Sequence, residues 1–203
     1  MHKELFDISE KRLKLIYRVL KVVLLLYWSA FTLLFSFFCI ERMCYPQGYK
    51  EIVFKYAEEF SLDSNLIFSV IRIESSFNEK AKSSAGAKGL MQITDKTGEY
   101  ISKKLNKTSY DLFNPNDNIE FGCYYLDYLM ERFNNLQTVL VAYNAGEGKV
   151  REWLNDERYS LDRENLIRIP YKETEEYVEK IQKSFAKYKK IYGNIVDKTK
   201  NIE

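Results

Sequence analysis

Histidine is almost missing from this chain: its one copy is His2. A Ser-His or Cys-His catalytic pair is thereby excluded, and so is a histidine-rich metal site. Cysteine is scarce too. Cys39, Cys44 and Cys123 form no pair with metal-ligand spacing. No glycine-rich loop of the phosphate-cradling kind is present, so neither a metal nor a nucleotide cofactor is implied. Proline occurs three times, at Pro46, Pro115 and Pro170. A surplus of one charge is also lacking. The net charge is +2, and residues 41–203 carry 25 Lys/Arg against 26 Asp/Glu. A body this close to neutral lacks the basic surplus that nucleic-acid backbones require, which makes nucleic acid a poor partner. Any proton chemistry falls to Glu, Asp, Tyr or Lys.

What the sequence has, first, is a long apolar run. Val22 to Ile40 spans 19 residues without a charge, close to the ~20 that a membrane-spanning helix needs. Six Lys/Arg precede it, and only Arg42, Lys50 and Lys55 stand in the 20 residues after it. This bias predicts a cytoplasmic N-terminus and a body on the other side. A cleaved signal peptide would have an apolar stretch of about 7–15 residues ending in a small-x-small site. Here the run is longer and closes on Phe37, Phe38 and Ile40. Phe38 before Cys39 also disfavours a lipoprotein site. An uncleaved anchor is the better reading.

Beyond it the pattern is helical. Apolar residues recur at three- and four-residue spacing in segments over about 50–60, 63–74, 95–105, 116–133, 137–144, 147–155 and 173–192. The long segment after Asn116 carries Ile119, Cys123, Leu126, Met130 and Phe133; the last carries Val178, Ile181, Phe185, Tyr188 and Tyr192. Sustained period-two alternation is absent, which predicts an all-α body of one domain. The expected organisation is a short cytoplasmic segment 1–21, an anchor 22–40, a linker 41–48, a helical domain 49–193 and a polar tail 194–203.

Glu74 is the first candidate for chemistry. Leu66, Ile67, Val70 and Ile71 make one helical stripe, and Glu74 follows Val70 by four residues and Ile71 by three. The face that enters the core therefore ends in a carboxyl. Partial burial raises such a pKa, and so does the negative end of a helix. A carboxyl held protonated near neutrality can serve as the general acid for a glycosidic leaving group. The alternative is a Glu74 turned to solvent or paired with a cation. Downstream, Gly86 and Gly89 permit tight turns. Met91 offers adaptable apolar contact, and Gln92 both a donor and an acceptor. Tyr143-Asn144-Ala145-Gly146 closes one helix, and Ile169-Pro170-Tyr171-Lys172-Glu173-Thr174 opens the last.

Taken together, E-S-S-F-N at Glu74, S-x-x-G-A-x-G-L-M-Q from Ser83, Y-N-A-G from Tyr143 and P-x-x-E-T from Pro170 resemble the SLT-domain family of lytic transglycosylases, relatives of goose-type lysozyme. The resemblance covers about residues 49–192. It implies a lysozyme-like helical fold for the body, which follows the single N-terminal membrane helix read from residues 22–40, with peptidoglycan glycan strands as substrate and no cofactor. It further implies Glu74 as the catalytic acid, with Ser83, Gly89, Met91, Gln92, Tyr143, Asn144 and Glu173 as substrate-binding residues. Where family members often continue G-L-M-Q with a hydrophobic-Met-Pro-x-Thr-Ala run, this chain has Ile-Thr-Asp-Lys-Thr-Gly. The resemblance implies cleavage between N-acetylmuramic acid and N-acetylglucosamine without water, leaving 1,6-anhydro ends; the anchor and its flanking charges place that activity at the outer face of a bacterial cytoplasmic membrane. A lysozyme-type hydrolase and a tethered, non-catalytic glycan-binding protein remain alternatives, and an envelope-spanning complex is left open as a partner.

Overall fold

A computed structural model describes residues 2–193, with side chains from residue 12 onward. The expected polar tail, 194–203, lies outside the described residues. The chain divides into two compact units, residues 1–46 and 47–203.

The first unit is one helix, α1 (His2–Cys44). It runs past both expected ends of the anchor. Nothing between Glu41 and Cys44 breaks it, and Pro46, which disfavours helix in the residue before it, follows closely. Its stretch from Arg12 to Cys44 is long and apolar enough to cross a membrane by length and composition. Leu24, Leu25, Trp28, Phe31 and Leu34 are all more than half exposed. Apolar faces on all sides of a helix suit lipid rather than water.

The second unit holds seven helices among the described residues: α2 (Lys50–Glu59), α3 (Ser64–Ser75), α4 (Asp95–Lys104), α5 (Pro115–Met130), α6 (Leu136–Ala145), α7 (Glu147–Leu154) and α8 (Lys172–Tyr192). Short polar side chains start most of them. Asp63 caps α3 by accepting from the Asn65 N–H, and Asn114 caps α5 just before Pro115. Asn135 caps α6 through the Thr138 N–H. Each such cap contributes about 1 kcal/mol. Thr94 caps α4 through the Thr97 N–H, and Asp95 pairs with Lys88 at 2.7 Å. The departure from the common family run is therefore a helix start of its own. Gly146, at φ 89°, both ends α6 and begins α7.

α3 is the spine. It packs on α8 and α2, while α5 lies against α2, α4 and α6, and α6 also meets α7 and α8. Leu66, Ile67, Val70 and Ile71 are all buried, as their spacing predicts. Truncating one such aliphatic to alanine costs about 2–5 kcal/mol. Phe68 stacks on Tyr188 of α8 at 5.8 Å. Of the expected α8 stripe, Val178, Ile181 and Tyr188 are buried, while Phe185 and Tyr192 are only half-buried and Thr174, Tyr177 and Ser184 complete the buried face instead. Small Ser184 fits the close approach to the neighbouring helices, and Phe185 lies under the Lys189 ammonium at 4.5 Å. Met130 on α5 is likewise half-buried. No strand occurs among the described residues; two isolated bridges, Lys82 to Lys88 and Lys88 to Ile93, shape the loop after α3.

Candidate active site

α3 ends at Ser75 because Ser76 turns into the left-handed region, φ 50°. Glu74 therefore occupies the last turn of a buried helix. Its residue is half-buried, and burial pushes its carboxyl up to about 7 from the usual 4.5. The opposing influence is one hydrogen bond: the Tyr177 hydroxyl of α8 donates to Oε1 at 2.6 Å. Among the described residues no cation pairs with Glu74. Tyr177 itself is held well above its ordinary pKa by burial and by the neighbouring Glu74 carboxyl, so it remains a donor. With Oε1 committed as an acceptor, a proton on the carboxyl resides on Oε2.

Tyr143 is the second neighbour. Burial, followed by Glu74, raises its pKa strongly. Its hydroxyl donates to the Met91 carbonyl at 2.8 Å, and its ring packs on Tyr125 at 5.5 Å. Ile93, Ile101, Leu112 and Phe121 form a small core beneath these two rings. Asn144 is exposed, and its Oδ1 accepts from the Thr174 hydroxyl at 2.8 Å. That bond ties the Y-N-A-G end of α6 to the start of α8, and so to the helix that carries Tyr177.

The G-L-M-Q turn is held by Asn118 of α5, which is fully buried. Its Nδ2 donates to the Lys88 and Leu112 carbonyls at 2.9 and 2.8 Å, and its Oδ1 accepts the Met91 N–H at 2.7 Å. Gly89 has φ 74°, and a Cβ there would stand 2.2 Å from the Leu112 carbonyl oxygen. Only glycine fits that contact. Met91 is fully buried, against Gly122, where an added Cβ would meet its sulfur at 2.3 Å. Its side chain is thus core, and it presents a backbone carbonyl to Tyr143. Gln92 is half-buried with φ 50°. Its Nε2 donates to the Gly89 and Ala81 carbonyls at 2.8 and 3.3 Å, which leaves Oε1 as an acceptor. Ser83 is exposed; its Oγ accepts the Ala87 N–H at 3.0 Å and closes the loop around Gly86. Glu173 is exposed in the first turn of α8, and no hydrogen bond or ion pair joins it to Glu74.

The structure therefore brings Glu74 and Tyr143 together and joins Met91 and Asn144 to them, while Ser83 and Glu173 stand on the surface. Sequence reasoning missed Tyr177 and Asn118. Tyr177 follows Thr174 by three residues, so helical spacing alone places it below the P-x-x-E-T start. Asn118 adjoins Ile119 on the buried face of α5, a polar residue where a core is forming.

The Transglycosylase SLT domain matches residues 51–167. The chain is 33% identical over 155 residues to the soluble lytic murein transglycosylase of Salmonella typhimurium, covering 73% of this chain and 24% of that protein. It is 29% identical over 166 residues to the membrane-bound lytic murein transglycosylase C of Haemophilus ducreyi, covering 69% and 45%. Among solved structures, the 70 kDa soluble lytic transglycosylase of Escherichia coli superposes with a TM-score of 0.67 at 30% identity, covering 76% of this chain and 26% of that one. An inactive glutamate-to-glutamine mutant of lytic transglycosylase Slt from Pseudomonas aeruginosa gives 0.63 at 31% identity, covering 72% and 24%. The chain spans about a quarter of the length of the soluble relatives.

Proposed function

The chain belongs to the transglycosylase SLT domain family, and from that premise we propose that it is a peptidoglycan lytic transglycosylase whose catalytic acid is Glu74. The observation that carries the reading is the Glu74 carboxyl, pushed up to about 7 by burial with Tyr177 as its hydrogen-bond partner. Ordinary glycosidases use two carboxyls about 5–9.5 Å apart. Here no second carboxylate figures among the influences on Glu74. One carboxyl acting twice fits that arrangement.

Glu74 gives its proton to the oxygen bridging N-acetylmuramic acid and N-acetylglucosamine as the muramic C1–O bond breaks. The muramic acetamide stabilises the positive charge left at C1. The Glu74 carboxylate then takes the proton of the muramic 6-hydroxyl, whose oxygen closes onto C1. The acid is regenerated, no water is consumed, and the product carries a 1,6-anhydro end. Tyr143 and Asn144 border the acetamide, Gln92 Oε1 accepts from a sugar or acetamide donor, and Ser83 and Glu173 line the outer groove. Gly89 and Met91 act by shaping the turn that carries Gln92. The inactive glutamate-to-glutamine mutant of the Pseudomonas aeruginosa enzyme supports an essential glutamate.

α1 tethers the enzyme to the cytoplasmic membrane with a single pass, and residues 49–193 face outward, as the flanking Lys/Arg bias favours. The membrane-bound relative supports a membrane-associated form. The test is product analysis. The full chain in detergent is incubated with isolated peptidoglycan, and the fragments are weighed by mass spectrometry. Fragments each one water lighter than hydrolysis products are expected. Ordinary reducing ends would make it a lysozyme-type hydrolase, and binding without release would make it a tethered glycan-binding protein.

A further inference from the structure

Beyond Tyr143, a chain of tyrosines leads away from Glu74. Tyr143 packs on Tyr125 at 5.5 Å, Tyr125 on Tyr128 at 6.0 Å, and Tyr128 on Tyr100 at 5.7 Å. The last three, with Lys96, Thr97 and Glu147, line an open cavity of about 380 Å³. Its polar wall is largely self-satisfied. The Tyr128 hydroxyl donates to Glu147 at 3.0 Å. Arg151 pairs with Glu147 at 2.7 Å, and Arg132 lies 3.6 Å from the same carboxylate while covering the Tyr128 ring at 3.4 Å. Thr94 and Thr97 share their hydroxyls at 2.9 Å.

One charge in the wall is left over. Lys96 is exposed in the first turn of α4 and takes no partner among the described residues. The positive end of α4 adds to its field. The cavity therefore offers flat apolar faces and one unanswered ammonium. A neutral sugar would find few free groups there for its hydroxyls. A carboxylate on a short apolar chain would match both features. Building on the transglycosylase reading, we infer that this cavity holds the peptide branch of a muramic residue, with Lys96 receiving a peptide carboxylate. The three ring-to-ring steps put the far wall within about five residues of extended chain from Tyr143, at ~3.4 Å each. A stem peptide on a sugar near the cut reaches that far.

Binding to the full-length Glu74→Gln protein in detergent tests this without turnover, so the outcome does not depend on what product the enzyme makes. Two probes are compared: peptidoglycan strands bearing their stem peptides, and the same strands with the free carboxylates of those peptides converted to neutral amides. Adding Lys96→Glu should weaken affinity for the carboxylate-bearing strands about fivefold, the upper range of an exposed ion pair, and leave the amidated strands unchanged. Lys96→Arg should retain the preference. An acidic residue in the first turn favours a helix, so α4 tolerates the change. Equal weakening for both probes, or none for either, would overturn the inference. Failure of the transglycosylase reading would show separately, in the product masses of the unaltered chain.

Discussion

Replacing Glu74 with glutamine should abolish product release and, at alkaline pH, make the protein more stable. The carboxyl is held at about 7 in the folded chain against an ordinary 4.5. Because the folded pKa is raised, the folded state prefers the protonated form. Below pH 4.5 both states are protonated and Glu74 costs nothing. As pH rises from 4.5 through 7, the unfolded chain loses its proton first and the native state loses stability relative to it. Above 7 the loss levels off at about 3.5 kcal/mol, from a gap of about 2.5 pH units at ~1.4 kcal/mol each. Glutamine matches the shape of the protonated acid: its Oε1 still accepts from Tyr177, and its amide stands in for the Oε2–H. It never ionises, so it escapes that loss. Thermal unfolding of both proteins in the same detergent should show equal midpoints near pH 4.5. By pH 8.5 the variant should lead by roughly 7–14 °C, at about 2–4 °C per kcal/mol for a body of this size. A difference that does not change with pH, or a variant less stable throughout, would refute the claim that burial of the charge governs Glu74.

Three further outcomes follow from the geometry. Activity should fall as pH rises through about 7, where the acid is lost, and Tyr177→Phe should move that fall to higher pH, because the bond it removes lowers the Glu74 pKa; a pH–rate profile reads both. Asn118→Leu leaves the Leu112 carbonyl and the Met91 N–H buried without partners, the Lys88 carbonyl keeping the Ile93 N–H, and should destabilise the body by about 2 kcal/mol or more in urea titration. Gly89→Ala forces a Cβ against Leu112 and Asn118 at a positive φ; soluble yield and helical circular dichroism should both drop, with a cost of at least about 3 kcal/mol.

How far the sequence leads depends on whether the deciding contact is local. The α3 stripe and its terminal carboxyl are a local periodic pattern, so the position of Glu74 at the end of a buried helix is legible in the sequence. The helices are legible for the same reason. The partners that give Glu74 and the turn their character are not local. Tyr177 lies 103 residues from Glu74, and only the packing of α8 on α3 brings it there. Asn118 reaches a turn 27 to 30 residues away. Met91 illustrates a different limit. Within G-L-M-Q it reads as a surface offered to ligand, yet the missing side chain of Gly122 opens a core socket for it. On α8, apolarity alone nominates Phe185, whereas close helix packing buries Ser184 instead.

The carboxyl of Glu74 can be watched directly. With glutamate carrying carbon-13 at its side-chain carboxyl, and Glu74→Gln to assign the signal, the full-length protein in micelles can be titrated by NMR. A midpoint close to 7 is predicted, moving upward in Tyr177→Phe. A midpoint near 4.5, unmoved by that substitution, would contradict the account of Glu74 as an acid kept ready at neutral pH.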